Sequence, residues 1–113
     1  MAVIEFHRGD SKPLKFQRLD ADSQPILTPP TAMYFTVKRN FDTKEFVIQK
    51  TIEDMTLGED GYWHFVIEPS DTEELPYDSY VYDLETDDEG FVLTISSGTL
   101  KLLKEATWKA NKS

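Results

Sequence analysis

Two histidines, His7 and His64, are the side chains of this chain best suited to moving protons or holding a metal near neutral pH. They stand far apart, and with no cysteine in the chain only carboxylates are left to complete a zinc site. A nucleophilic triad needs a serine and an acid placed around one of them, and no spacing announces it. His64 reads as an exposed strand residue. The run Asp87-Asp88-Glu89 offers carboxylate oxygens to calcium, but the regular ligand spacing of a calcium loop is missing and the run reads as a solvated hairpin tip. Carboxylate pairs for glycoside hydrolysis are findable in any chain this acidic; one of them would need a cleft that raises its pKa. Gly9, Gly58, Gly61, Gly90 and Gly98 stand at separate turns rather than in one phosphate-cradling loop. Arg8-Gly9-Asp10 spells an integrin-type tripeptide where the first strand should end, and reads as a turn. The sequence therefore announces no enzyme, no cofactor and no metal site.

Aromatic side chains are the other candidates for recognition. Tyr34, Tyr62, Trp63, Tyr77 and Trp108 would serve as a platform for sugar rings or for a peptide. Trp63 shares strand parity with Phe65 and Ile67 and belongs to the core. Alternation leaves Tyr34 and Tyr62 on outer faces, so these two carry the aromatic alternative.

The elements that position these residues follow from composition and periodicity. The chain has 113 residues, one ordinary domain, with 39% hydrophobic and 29% charged residues. Without cysteine it must fold unaided by cross-links, and the cytosol is the simplest compartment. Met1-Ala2-Val3-Ile4-Glu5-Phe6 has neither a basic nor a long apolar region, so no signal peptide is expected. No apolar run approaches the ~20 residues that span a bilayer. The net charge is −9, and its layout is lopsided: Thr51 to Leu100 holds no Lys or Arg. Such a field repels nucleic acid and anionic membrane. It suits either a solvated acidic surface or a dipolar module that packs acidic face to basic face with a neighbour.

Short alternating runs bounded by turn residues dominate, which is the all-β signal. Ala2, Ile4 and Phe6 share one face of the first run, and Leu14 and Phe16 one face of the second. Pro25, Pro29 and Pro30 mark Asp20 to Thr31 as a long irregular connection. Met33, Phe35 and Val37 share a face of the third run. The fourth, Glu45 to Ile52, is apolar on both faces and leaves its register open. Trp63, Phe65 and Ile67 point inward in the fifth. Ser70 followed by Glu73 fits a capping box for one helical turn. Tyr80, Tyr82 and Leu84 share a face of the sixth run, and Asp87 to Gly90 is a tight hairpin turn. Phe91, Leu93 and Ile95 share a face of the seventh, with Gly98 as a bulge or bend before Leu100 and Leu102. The expectation is an antiparallel sandwich of seven to eight strands over residues 1–105, followed by a polar tail over 106–113.

Two stretches add a resemblance. Arg8-Gly9-Asp10-Ser11-Lys12-Pro13-Leu14-Lys15-Phe16 and the strand Met33 to Lys38 resemble the opening of immunoglobulin-like domains in phage baseplate upper proteins and related tail-fibre modules. Asp71-Thr72 through Leu75-Pro76-Tyr77-Asp78-Ser79-Tyr80-Val81-Tyr82-Asp83-Leu84 is similar to their short helical connection and tyrosine-bearing strand, and Ser97-Gly98-Thr99 to the end of their last strand. Where that family carries a turn glycine this chain has Asp78, which tolerates left-handed geometry better than most residues. The resemblance implies an immunoglobulin-like sandwich with a tyrosine corner at Tyr80, or at Tyr82 in second place. It implies a non-enzymatic part of a phage or prophage tail or baseplate, made in the bacterial cytoplasm and residing in the virion. Its partners would be other tail proteins or further copies of itself, with Asp87, Asp88 and Glu89 as an acidic contact.

Overall fold

The structure, a computed structural model, describes residues 2–104. The proposed tail boundary at 106 and Trp108 lie outside the described residues. Eight strands form: β1 (Ala2–His7), β2 (Lys12–Phe16), β3 (Ala32–Lys38), β4 (Ile48–Thr51), β5 (Thr56–Leu57), β6 (Trp63–Ile67), β7 (Ser79–Asp88) and β8 (Phe91–Leu103). They make a five-stranded sheet in the order β1-β8-β7-β3-β4 and a three-stranded sheet in the order β2-β6-β5. The chain is thus an all-β sandwich.

The alternating runs fold as their parity demands. Met33, Phe35 and Val37 on β3, Trp63, Phe65 and Ile67 on β6, and Tyr80, Tyr82 and Leu84 on β7 are all buried. Phe35 lies at the centre, with ring centroids 5.0 Å from Phe65 of the opposite sheet and 5.6 Å from Tyr82 of its own. Leu100 and Leu102 from β8 and Phe6 from β1 extend the core. Ile4 packs against the core while only partly buried and Ala2 is exposed, so the contribution of the first run fades toward its start. The ambiguous fourth run resolves at Ile48, the first residue of β4, which is buried; Phe46, just before it, is exposed.

Three expectations are corrected. The sheet is not purely antiparallel: β1 runs parallel to β8, Ala2 opposite Gly98 through His7 opposite Leu103. Gly98 is therefore no bulge. It sits where β1 and β7 both press closest, and a Cβ there would overlap the Ala2 carbonyl oxygen and lie 3.1 Å from the Tyr82 ring. The irregularity falls earlier, where Leu84 opposes Ser96 but Glu85 opposes Thr94, leaving Ile95 as the extra residue. Third, the helical turn α1 (Pro69–Thr72) starts after Glu68, and the Asp71 carboxylate accepts the Glu68 N–H at 2.7 Å. Pro69 takes the first helical position, where its missing N–H costs nothing, and this moves the cap ahead of Ser70.

The connection from α1 to β7 ends in a tyrosine whose hydroxyl reaches back. Tyr80 is buried, and its O–H donates to the Pro76 carbonyl at 2.8 Å. Asp78, in between, keeps a negative φ, since Ser23 and Glu89 are the non-glycine residues with positive φ among those described. The turn thus needs no left-handed residue at Asp78; its carboxylate instead accepts the Ser79 N–H at 2.8 Å. Burial raises the Tyr80 pKa above its ordinary value of 10.0. The folded value lies above the unfolded one, so this tyrosine's contribution is complete below pH 10 and is lost as pH rises through the folded value. Tyr80→Phe is expected to cost about 1–2 kcal/mol at neutral pH by leaving the Pro76 carbonyl unpaired, and to flatten the alkaline loss of stability. Urea midpoints at neutral pH and above pH 10 check both parts; equal midpoints for the two proteins at neutral pH would contradict the first.

Candidate functional site: the β7–β8 hairpin and its uncovered edge

β7 and β8 are the longest strands, 10 and 13 residues, and their hairpin outruns the small opposing sheet, whose strands have two to five residues. The turn residues Glu89 and Gly90 both have positive φ, 55° and 93°, a two-residue turn whose twist suits the flanking strands. The Gly90 N–H donates to the Asp87 carboxylate at 2.8 Å, and the Glu89 N–H to the Thr31 hydroxyl at 3.0 Å. Arg18 from the long connection lies 3.6 Å from the Asp88 carboxylate. The acidic trio is therefore brought together at the tip, but Asp87 is occupied by the turn and Asp88 by Arg18. Lys50 on β4 similarly meets Asp71 at 2.7 Å. Charges that lie in separate halves of the sequence thus partly neutralise each other within the fold. No group of His, Cys, Asp and Glu suited to a metal ion occurs among the described residues.

Beyond the tip, β1 covers β8 only from Gly98 to Leu103. From Phe91 to Ser97, β8 pairs with β7 on one side and with no strand on the other among the described residues. Phe91, Val92 and Leu93 are 71%, 54% and 52% exposed, so the face that Phe91 and Leu93 were expected to share has nothing packed over most of it. The cause is strand length: the opposing sheet ends before reaching them. The long connection supplies a partial wall instead. It folds on itself, the Asp20 carboxylate accepting the N–H groups of Asp22 and Gln24, and Ile26 N–H donating to the Arg18 carbonyl at 2.7 Å. Between this wall and β8 lies a cleft of about 500 Å³, lined by Arg18, Leu19, Ile26, Phe91, Leu93 and Ile95.

The edge from Phe91 to Ser97 reads Phe-Val-Leu-Thr-Ile-Ser-Ser, with no charge, proline or glycine. Natural edge strands are usually blunted by a charge, a proline or a bulge, because a bare edge invites a further strand; here the bulge at Ile95 interrupts the edge, and Phe91 to Thr94 before it carry no such device. Sequence reading missed this surface. Its signal was present: Phe91-Val92-Leu93 are three successive apolar residues directly after a turn, which breaks the alternation of a half-buried strand.

The aromatic candidates are not brought together. Tyr34 is partly exposed on the outer face of the large sheet, in a shallow cleft of about 290 Å³ with Phe46, Gln49 and Asp83. Tyr62 precedes β6 on the small sheet, with the Lys15 ammonium 4.6 Å from its ring centroid. The two rings belong to different sheets and form no common platform. Tyr82 is in the core. His64 is exposed beside Asp60, 3.1 Å from both carboxylate oxygens. The Asp60 pKa is lowered, first by the Tyr62 backbone N–H and then by the hydrogen bond to His64.

No protein-family model matches this chain. No curated protein matches it either. Among solved structures it is similar to part of an endo-β-1,4-mannanase from Thermotoga petrophila, with a TM-score of 0.58 and 14% identity. The likeness takes in 90% of this chain but only 18% of that enzyme, and at this identity it speaks to the fold alone.

Proposed function

We propose that this chain is an immunoglobulin-like, non-enzymatic assembly module of a phage or prophage tail or baseplate, acting through protein–protein contacts. The immunoglobulin-like reading is supported by a first strand paired parallel to the last, a β7–β8 hairpin at the heart of the larger sheet, and the Tyr80 hydroxyl bonded back to Pro76. The assembly reading rests on one observation above all, the bare uncharged edge with Phe91, Val92 and Leu93 exposed along it. The alternative, a carbohydrate- or peptide-binding module, lacks a shared tyrosine platform, because Tyr34 and Tyr62 lie on different sheets. The tail assignment comes from the sequence resemblance, and with it residence in the virion after synthesis in the bacterial cytoplasm.

Tail particles purified from the bacterium that carries the gene are expected to contain this chain in fixed proportion to the other tail proteins. A variant carrying Val92→Lys and Leu93→Lys, shown to be folded by circular dichroism, is expected to be depleted from them at least tenfold. Particles devoid of the wild-type chain would sink the tail reading, and undiminished uptake of the double variant would remove the edge from it.

A further inference from the structure

We propose that the outer face of the large sheet binds a neutral sugar, in the cleft between Tyr34 and Phe46. Met33 and Phe35 turn inward, so Tyr34 and Thr36 of β3 stand on the outer face. Strand pairing sets Gln49 of β4, Thr36 of β3 and Asp83 of β7 in one row across three strands. The Gln49 side-chain amide donates to the Thr36 hydroxyl at 3.2 Å, so these two share that face. Tyr34, opposite Glu85, flanks the row toward the hairpin tip. Phe46, which precedes β4 and is exposed, flanks it at the other end. The cleft of about 290 Å³ is thus a polar floor with an aromatic ring at either end. Alternation in the sequence points to Tyr34 but not to Phe46, which stands in the run of open register.

The lining selects the ligand. A pyranose ring has faces of C–H groups and a rim of hydroxyls, each both donor and acceptor, and it carries no charge. Aromatic side chains suit the faces, and the rim needs donors and acceptors together. The Thr36 oxygen accepts from Gln49, which leaves its hydroxyl hydrogen to donate. The Gln49 amide can do both, while the Asp83 and Glu85 carboxylates accept and the Lys38 and Lys44 ammonium groups donate. The two carboxylates and two ammonium groups cancel, so this cleft is neutral in a chain that carries −9. An anion there is opposed by the carboxylates and a cation by the lysines; an uncharged ligand is opposed by neither. The row spans roughly 10 Å across three strands, room for about two linked pyranose rings.

The site is separate from the bare edge. In the sheet order β1-β8-β7-β3-β4 the cleft occupies the last three strands, whereas the edge belongs to β8. Both surfaces can be engaged at once, and the sugar site stands independently of the assembly reading. The cleft is shallow and leaves much of a bound ring in water, so the dissociation constant is on the order of 1 mM. Salt affects it little, because the ligand is uncharged.

Short oligosaccharides of glucose, mannose, galactose and N-acetylglucosamine, titrated into the isotope-labelled chain and followed by backbone amide shifts, test the site. At least one of them is expected to shift the amides of Tyr34, Thr36, Gln49 and Asp83. Tyr34→Ala and Phe46→Ala, both at exposed positions and checked for folding by circular dichroism, are each expected to weaken that binding at least tenfold. Tyr62→Ala, on the small sheet, is expected to leave it unchanged. Absence of shifts with every one of these sugars up to about 20 mM would overturn the site. So would shifts confined to other strands, or wild-type affinity in Tyr34→Ala. Phosphocholine, a zwitterion, shifting these amides more strongly than every sugar would overturn the neutral ligand in favour of one with paired charges.

Discussion

Gly98→Val is expected to destabilise the fold by about 3 kcal/mol, the upper range for forcing volume into a packed site. The position is enclosed by backbone on one side and a core ring on the other. The first atom of any side chain would overlap the Ala2 carbonyl oxygen, and Tyr82 lies 3.1 Å from the same point. Tyr82 is buried against Phe35 and has little room to yield. The strain should therefore be relieved by lifting β1 from β8, which uncovers Leu100 and draws Ile4 and Phe6 away from the core. Urea unfolding checks the magnitude. Hydrogen exchange checks the mechanism, with protection lost along Thr99 to Leu103 and retained where β7 meets β3. An unchanged urea midpoint would show that Ala2 moves aside freely and that β1 contributes little.

Arg8→Ala is expected to cost about 2–3 kcal/mol, through lost charged hydrogen bonds and a lost cation–π contact. Arg8 follows β1, and its N–H donates to the Leu103 carbonyl at 3.0 Å, continuing the β1–β8 pairing. Its guanidinium donates to the Leu75 carbonyl at 3.2 Å and to the Tyr77 hydroxyl at 2.8 Å, and sits 4.0 Å from the Tyr77 ring centroid. The next residue repeats the grip: the Gly9 N–H donates to the hydroxyl of Thr72, which is fully buried. The tripeptide that spells an integrin motif is thus a clamp on the segment between α1 and β7, the segment that also holds the Tyr80 bond to Pro76. Arg8→Lys keeps the charge but not the planar fork, and is expected to recover less than half of the loss. Chemical denaturation of the three proteins decides; a loss under about 0.5 kcal/mol for Arg8→Ala would show that water replaces the clamp.

Much of this fold is legible in the order of residues. The inward sets of β3, β6 and β7 follow from period-two alternation, and the β7–β8 turn from Gly90 after three acids. What alternation cannot carry is pairing between distant strands. Val3 and Ile4 look the same whether β1 pairs parallel or antiparallel, so the role of Gly98 stays hidden until Ala2 is placed beside it. Nor does parity say how far the opposing sheet extends: Phe91 and Leu93 share a face with Ile95, and nothing in their own strand records that β2, β5 and β6 stop short. The helical turn was misread for a simpler reason: Ser70 and Glu73 satisfy a pattern, but Pro69 has the stronger preference and fixes the start. For the candidate site, the acidic tip was legible and its partners were not, since Arg18 and Thr31 come from a connection whose path the sequence leaves open.

The parallel pairing of β1 with β8 also sets how the molecule bears load. Ala2 and Leu103 stand at opposite ends of the same six-residue ladder. Tension applied between them runs along the strand axes, so the rungs are strained together in shear and none can open ahead of the others. Had the two strands run antiparallel, the same pull would have started at one end and separated the rungs in turn. A domain strung by these two points is thus built to transmit traction through the sheet without peeling, with the hairpin edge lying above the stressed ladder and outside the line of force.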